Sequence, residues 1–230
     1  MLPDTSLRRI SVDGVRVDRD GRAILFDMSV ELDSARIAVI GANGSGKSTF
    51  ARLLNGLVEP TAGRVSVHGL DVARERSAIR RRVGFVFTDP QAQILMPTPA
   101  EDLALSLRGR SREEIAERVS SVLAEHGLTE TADAPASALS GGQRQLLALA
   151  SVLITEPALV VADEPTTLLD LRNARRIGDL LLAQPAQLVL VTHDLELASR
   201  CDIGVLFDEG RLIAVGEARD VVSRYRRMCG

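Results

Sequence analysis

Apolar and polar residues alternate in short runs over residues 9–32, as in Ile10-Ser11-Val12 and Met28-Ser29-Val30-Glu31-Leu32, around Asp20-Gly21. A period of two on either side of a turn pair predicts two antiparallel strands, each with one buried face. Ile37-Ala38-Val39-Ile40 lacks alternation, as expected of a parallel strand buried on both faces. Val83-Gly84-Phe85-Val86-Phe87 reads as a central strand, and Ala158 to Ala162 and Leu188 to Val191 as two more buried ones. Arg64 to Gly69 reads as a strand and turn. A helix is expected from Lys47 to about Leu57, closed by Pro60-Thr61-Ala62-Gly63. The period becomes helical from about Thr98 to Ile154, with Glu101 to Leu107 and Ser111 to His126 as separate helices. Ser111-Arg112-Glu113-Glu114 opens the second with a capping box, and Gly127 ends it. The predicted class is α/β: one domain over 1–230, with a β subdomain and core at about 1–90 and 156–230 and a helical insertion at about 91–155.

A length of 230 residues suits one domain with a sizeable core. A net charge of −3 offers no basic surface, and the absence of Trp leaves few stacking platforms, so nucleic acid is not an expected partner. Cys201 and Cys229 have neither metal-type nor redox-type spacing and read as reduced thiols of a cytosolic protein. The longest apolar stretch, Leu146 to Ile154, is about half of what a bilayer span needs. Met1-Leu2-Pro3-Asp4 lacks the charged-then-apolar order of a signal peptide. Membrane contact is expected only through partners.

The chemistry is concentrated in two glycine-rich segments and a few strand ends. Gly41-Ala42-Asn43-Gly44-Ser45-Gly46-Lys47-Ser48-Thr49 fits G-x-x-x-x-G-K-S/T between a predicted strand and a predicted helix. There backbone N–H groups can close around a phosphate, Lys47 can meet the β- and γ-phosphates, and Ser48 can offer a hydroxyl to Mg²⁺. A plain glycine-rich turn is the bland alternative, and the strand–loop–helix context opposes it. Asp163 and Glu164 follow an apolar strand, at the sheet edge where open α/β folds bind ligands. His193 follows another; alone, such a histidine is more often a satisfied interior group, as His68 and His126 are expected to be. Ser140-Gly141-Gly142-Gln143 opens a long apolar helix and is a second anion site, unless Ser140 is a simple N-cap and the glycines a hinge. A nucleoside triphosphate has one γ-phosphate, so two such sites invite a composite site between two chains.

With Leu139, the second segment reads Leu-Ser-Gly-Gly-Gln, and the chain resembles the ABC ATPases over nearly its whole length. The resemblance implies a P-loop NTPase cassette: a RecA-like core, an N-terminal antiparallel β subdomain and an inserted helical subdomain. It implies ATP and Mg²⁺, with Ser48 and Asp163 on the metal, Glu164 polarising the attacking water and His193 on the γ-phosphate. It also implies that Ser140, Gly141, Gly142 and Gln143 meet ATP held by a second subunit. Asp170, which could equally cap the following helix, would communicate across that interface. Two departures stand out. The family has a glutamine after the strand Val83 to Phe87, reaching the metal and the water; this chain has Thr88, a metal candidate of shorter reach, and slow basal turnover is expected. The aromatic ring that stacks on adenine is missing near residues 17–19, leaving Arg19 to stack its guanidinium on the base or Val17 to give apolar contact.

Phe87 to Thr98, followed by Glu101-Asp102, is similar to the energy-coupling-factor (ECF) importers, with Gln93 at the place of their second glutamine. The short form ending at Gly230, the Thr88 substitution and the absence of Gly-Glu before Ile37 most resemble the ATPases of biotin importers, with cobalt, nickel or another vitamin as alternative solutes. The implied partners are a second ATPase subunit, making a homodimer, together with a transmembrane coupling protein and a substrate-binding membrane protein. The implied location is the cytoplasmic face of the inner membrane of a bacterium. The groove beside Gln93 to Thr98 is the expected docking surface, and Arg224-Tyr225-Arg226-Arg227 reads as a solvated helix end. A soluble ABC clamp on DNA or ribosomes would need a coiled-coil insertion or a second cassette. A small-molecule kinase would leave Ser140 to Gln143 unexplained.

Overall fold

The computed structural model describes residues 8–230, so the reading of Met1 to Asp4 lies outside the described residues. Strands β1 (Ile10–Arg19) and β2 (Arg22–Leu32) pair antiparallel across a turn in which Asp20 and Gly21 both have positive φ, 50° and 73°. Glycine adopts such angles freely and aspartate more readily than most residues, which is why this pair carries the turn. With β4 (Ala62–Val67) and β5 (Leu70–Asp71) they form a four-stranded antiparallel sheet, in the order β2-β1-β4-β5.

The second sheet contains β3 (Arg36–Gly41), β6 (Val83–Val86), β7 (Leu159–Asp163), β8 (Gln187–Val191), β9 (Ile203–Asp208) and β10 (Arg211–Glu217), in the order β10-β9-β3-β8-β7-β6. All its pairings are parallel except β9 with β10. Both faces of the parallel strands are covered. Ala38, Ile40, Val160, Ala162, Leu188 and Leu190 face a helical layer. Their neighbours Ile37, Val39, Val161 and Val189 face Phe50 of α1 (Lys47–Leu54) and the antiparallel sheet. That two-sided burial is the reason for the unbroken apolar runs, and each fully buried Val, Leu, Ile or Phe side chain contributes roughly 1.5–3 kcal/mol. Because the strands are parallel, the loops after β3, β6, β7 and β8 all leave from one edge of the sheet.

Between β6 and β7 the chain forms α3 (Pro99–Leu105), α4 (Arg112–His126) and α5 (Gly141–Leu153), linked by short 3₁₀ turns. Helix α4 begins with the expected Ser111–Glu114 capping box and ends at Gly127, φ 65°. Helix α5 begins with a box of the same kind, Ser140 with Gln143. Helices α2 (Arg76–Arg82), α6 (Leu171–Leu182), α7 (Leu195–Ala198) and α8 (Ala218–Cys229) complete the fold. His126 is buried and His68 meets Gln187 at 2.7 Å. Cys201 and Cys229 are free, and burial pushes the Cys201 thiol up to about 12.

Two expectations need correction. β6 is not a central strand but the edge of its sheet. It looks central in sequence because its faces are covered: Gly84 lets Val152 and Pro157 approach on one side, and Val83 and Phe85 join the inter-sheet core on the other. Helix α1 stops at Leu54, short of Leu57, because the N–H groups of Leu57 and Val58 both turn back to the Arg52 carbonyl around Gly56, φ 72°.

Candidate functional site

The loop after β3 is built around its lysine. Gly41 (φ 146°) lies against the Phe207 carbonyl of β9, where a Cβ would collide. Gly46 (φ 98°) precedes α1, and a Cβ there would lie 2.6 Å from the Leu25 side chain. Gly46 gives α1 no side-chain cap, so the first-turn N–H donors of α1 have no side-chain acceptor. Lys47 is 6% exposed, and its ammonium donates to the Gly41 and Ala42 carbonyls at 2.9 and 2.8 Å. Burial pulls its pKa down, opposed by the nearby Glu164 and Asp163 carboxylates. Ser45 Oγ is buried without a hydrogen-bond partner among the described residues. An uncapped helix N-terminus and an orphaned hydroxyl fit a polyphosphate, which gives each a partner that the protein does not supply, and the buried ammonium adds positive charge beside them.

Asp163 ends β7 and is 1% exposed. Its Oδ1 accepts from Ser48 Oγ at 2.8 Å, and Arg52 Nη2 lies 3.6 Å from its Oδ2. Burial raises its pKa, resisted first by the Ser48 hydrogen bond and then by Arg52. A hydroxyl and a carboxylate form a hard-oxygen pair of the kind that takes Mg²⁺ together with phosphate oxygens. No cluster of three or more His, Cys, Asp or Glu that could cage a metal occurs among the described residues. Thr88 Oγ1 donates to the Asp163 backbone carbonyl at 2.8 Å.

Glu164 has φ 52°, a left-handed conformation that costs a residue with a side chain about 1–2 kcal/mol. Its Oε2 lies 2.7 Å from His193 Nδ1, and it accepts from the Thr167 hydroxyl at 3.1 Å and the His193 N–H at 3.3 Å. A carboxylate outside the Ser48–Asp163 pair, beside an imidazole that is 59% exposed, is equipped to receive a proton. The loop Gly41 to Thr49, Asp163, Glu164 and His193 therefore share one sheet edge, reached also by Thr88.

Ser140 and Gly141 are exposed at the N-terminus of α5, which packs on α3, α4, α6 and β6 rather than on α1. Asp170 caps α6, accepting from the Asn173 N–H and side-chain amide at 2.8 and 2.9 Å. Asn173 also abuts Gly142, where a Cβ would come within 2.7 Å of it, so α6 joins the two segments. Arg19 is 77% exposed, and among the described residues its one ion pair is with Asp20 at 3.9 Å. Arg52 and Asn173 are additions that motif spacing does not reveal.

A family model described as "ABC transporter" matches residues 25–167, from β2 to just past Glu164. The biotin transport ATP-binding protein BioM of Rhizobium etli is 43% identical over 221 residues, covering 95% of this chain and 98% of that protein. The nickel import ATP-binding protein NikO of Rhodobacter capsulatus is 41% identical over 216 residues, covering 86% and 84%. The solved structure of cbiO1 from Clostridium perfringens, described as part of the ABC transporter complex cbiONQ, superposes with a TM-score of 0.83 at 28% identity, covering 96% and 92%. A P-loop built for phosphate, the two-sheet cassette and these matches agree: the chain belongs to the ABC transporter family, as one of its ATP-hydrolysing subunits.

Proposed function

We propose that the chain energises an ECF-type importer as a homodimer, each ATP closing between the P-loop of one copy and Ser140 to Gln143 of the other. The observation that supports the dimer is the N-terminus of α5: Ser140 and Gly141 are exposed and Gly141 has open space where a Cβ would stand, so this end is free to meet another copy. The loop N–H groups and Lys47 would hold the β- and γ-phosphates, and Ser48 and Asp163 would hold Mg²⁺. When bound, the cation would neutralise phosphate charge. Glu164 would take the proton of the water that attacks the γ-phosphorus as the bond to the bridging oxygen breaks, giving ADP and phosphate. His193, at 2.7 Å, orients that carboxylate. Lys47→Ala is expected to weaken ATP binding roughly 10–100-fold, the scale of a charged hydrogen bond, in a titration with a fluorescent ATP analogue.

The groove lined by Gln91, Ile94, Leu95, Met96 and Pro97, with Leu95 73% exposed, supports docking of a transmembrane coupling protein. No helix among the described residues is long and apolar enough to cross a membrane, and we place the chain at the cytoplasmic face through its partners. The match to BioM favours biotin as the solute, and the shorter match to NikO, at 41% identity, gives nickel as the second reading. Uptake of labelled biotin and of nickel by cells lacking this chain decides: loss of biotin uptake, restored by the wild type and not by Glu164→Gln, is expected. Loss of nickel uptake instead would assign the metal, and loss of neither would overturn both solute assignments and leave cobalt or another vitamin.

A further inference from the structure

The peptide group joining Asp163 to Glu164 is the hinge on which both carboxylates hang, and its two polar atoms are held by different strands' neighbours. Its carbonyl accepts the Thr88 hydroxyl at 2.8 Å, and its N–H, that of Glu164, donates to the Val191 carbonyl of β8 at 3.0 Å. The ladder between β6 and β7 ends with Val86 beside Ala162, so Thr88 reaches one residue further along β7 with a side chain. Glu164 keeps its left-handed φ of 52° immediately beyond this doubly held peptide. Such a conformation persists where its surroundings over-determine it.

We propose that Thr88 is a positioning residue for hydrolysis: its hydroxyl fixes the plane of the Asp163–Glu164 peptide and so aims the Glu164 carboxylate at His193. The proposal rests on the reading of Glu164 as the proton acceptor. The clip is itself firmly mounted. The Phe87 ring packs on Phe85 at 4.7 Å, the Phe87 N–H donates to Gln93 Oε1 at 3.3 Å, and Gln93 Nε2 donates to the Ala148 carbonyl of α5 at 2.6 Å. A side chain mounted on two packed elements can impose an orientation on a third; one mounted on a loose loop could not. Removing the hydroxyl takes away one of the two hydrogen bonds named above and leaves this peptide held through its N–H alone on the Val191 side.

The test compares Thr88→Val, which keeps the shape and loses the hydroxyl, with Thr88→Ser, which keeps the hydroxyl. In the nucleotide-free protein, hydrogen exchange of the Glu164 amide is expected to speed up about tenfold in Thr88→Val, the scale of one lost hydrogen bond, and to stay within about twofold in Thr88→Ser. With saturating Mg-ATP, kcat should fall about tenfold in Thr88→Val at nearly constant KM and recover in Thr88→Ser. In a Glu164→Gln background, Thr88→Val should cause no further loss, because the residue acts through Glu164. Unchanged exchange of the Glu164 amide, equal damage from Ser and Val, or a raised Mg²⁺ requirement with full kcat at saturating Mg²⁺ would each overturn the proposal; the last would make the hydroxyl a metal ligand. Wild-type turnover in Glu164→Gln would instead sink the reading beneath it, and the exchange result would still decide whether Thr88 holds the peptide.

Discussion

Glu164→Gln is expected to bind Mg-ATP as the wild type does and to turn it over roughly 10²–10⁴-fold more slowly, the usual scale for losing a positioned general base. The substitution is nearly isosteric, and an amide oxygen can still accept from the Thr167 hydroxyl and the His193 N–H, which reach Glu164 at 3.1 and 3.3 Å. What the amide cannot do is receive a proton. The loss should therefore fall on kcat and leave the nucleotide affinity intact, which single-turnover kinetics and equilibrium binding separate. Near-wild-type turnover would remove Glu164 from the chemistry. The same variant is expected to trap the composite site, because ATP that is not hydrolysed keeps two copies together. Light scattering should show a monomer-to-dimer shift on adding Mg-ATP. Binding without a shift would mean that the chain does not close on itself without its membrane partners.

The parts of the site that were legible in the sequence are those whose chemistry is local. Gly41 to Thr49 needs only a strand before it and a helix after it, and both are present. Asp163 and Glu164 were visible because an apolar run ends in two carboxylates, and His193 because it ends another. The capping boxes at Ser111 and Ser140 obey a rule that spans three residues, and both formed. What spacing could not show is contact across the fold. Arg52 meets Asp163 from α1, and Asn173 links Gly142 to Asp170 from α6, yet neither belongs to a motif. The edge position of β6 was hidden for a related reason: burial of its two faces sets its composition, whereas strand order is set by partners distant in sequence. Four of the seven residues of helix α2 are arginine and Ile79 is its one buried residue, so its apolar stripe is too thin to read. The resting hydrogen bonds of Lys47 to its own loop were also unforeseeable, since a phosphate-binding pattern describes the liganded contacts.

Gly141→Ala is expected to leave the isolated chain unharmed and to reduce turnover roughly 10²–10³-fold, the scale of losing one preorganised donor to a transition state. The adjacent glycines differ sharply in what surrounds them. A Cβ on Gly142 would lie 2.7–2.8 Å from Asn173 side-chain atoms, so loss of activity there would be ambiguous between damage inside the chain and damage at a partner. A Cβ on Gly141 meets nothing within 4 Å among the described residues, and its φ is not positive. Alanine is the better helix former, by up to about 1 kcal/mol, so the thermal midpoint should hold or rise slightly and ATP binding to the monomer should not change. If a second copy brings its nucleotide against the first turn of α5, the added methyl stands between the backbone donors and the phosphate. Turnover and ATP-driven dimerisation should then fail together in a protein that melts and binds ATP normally. Since no described residue packed against the helix lies within 4 Å of a Cβ at that position, such a failure reports on the partner copy. Unchanged turnover would mean that nothing approaches this helix end in the active state, and the composite site would give way to one contained within a single chain.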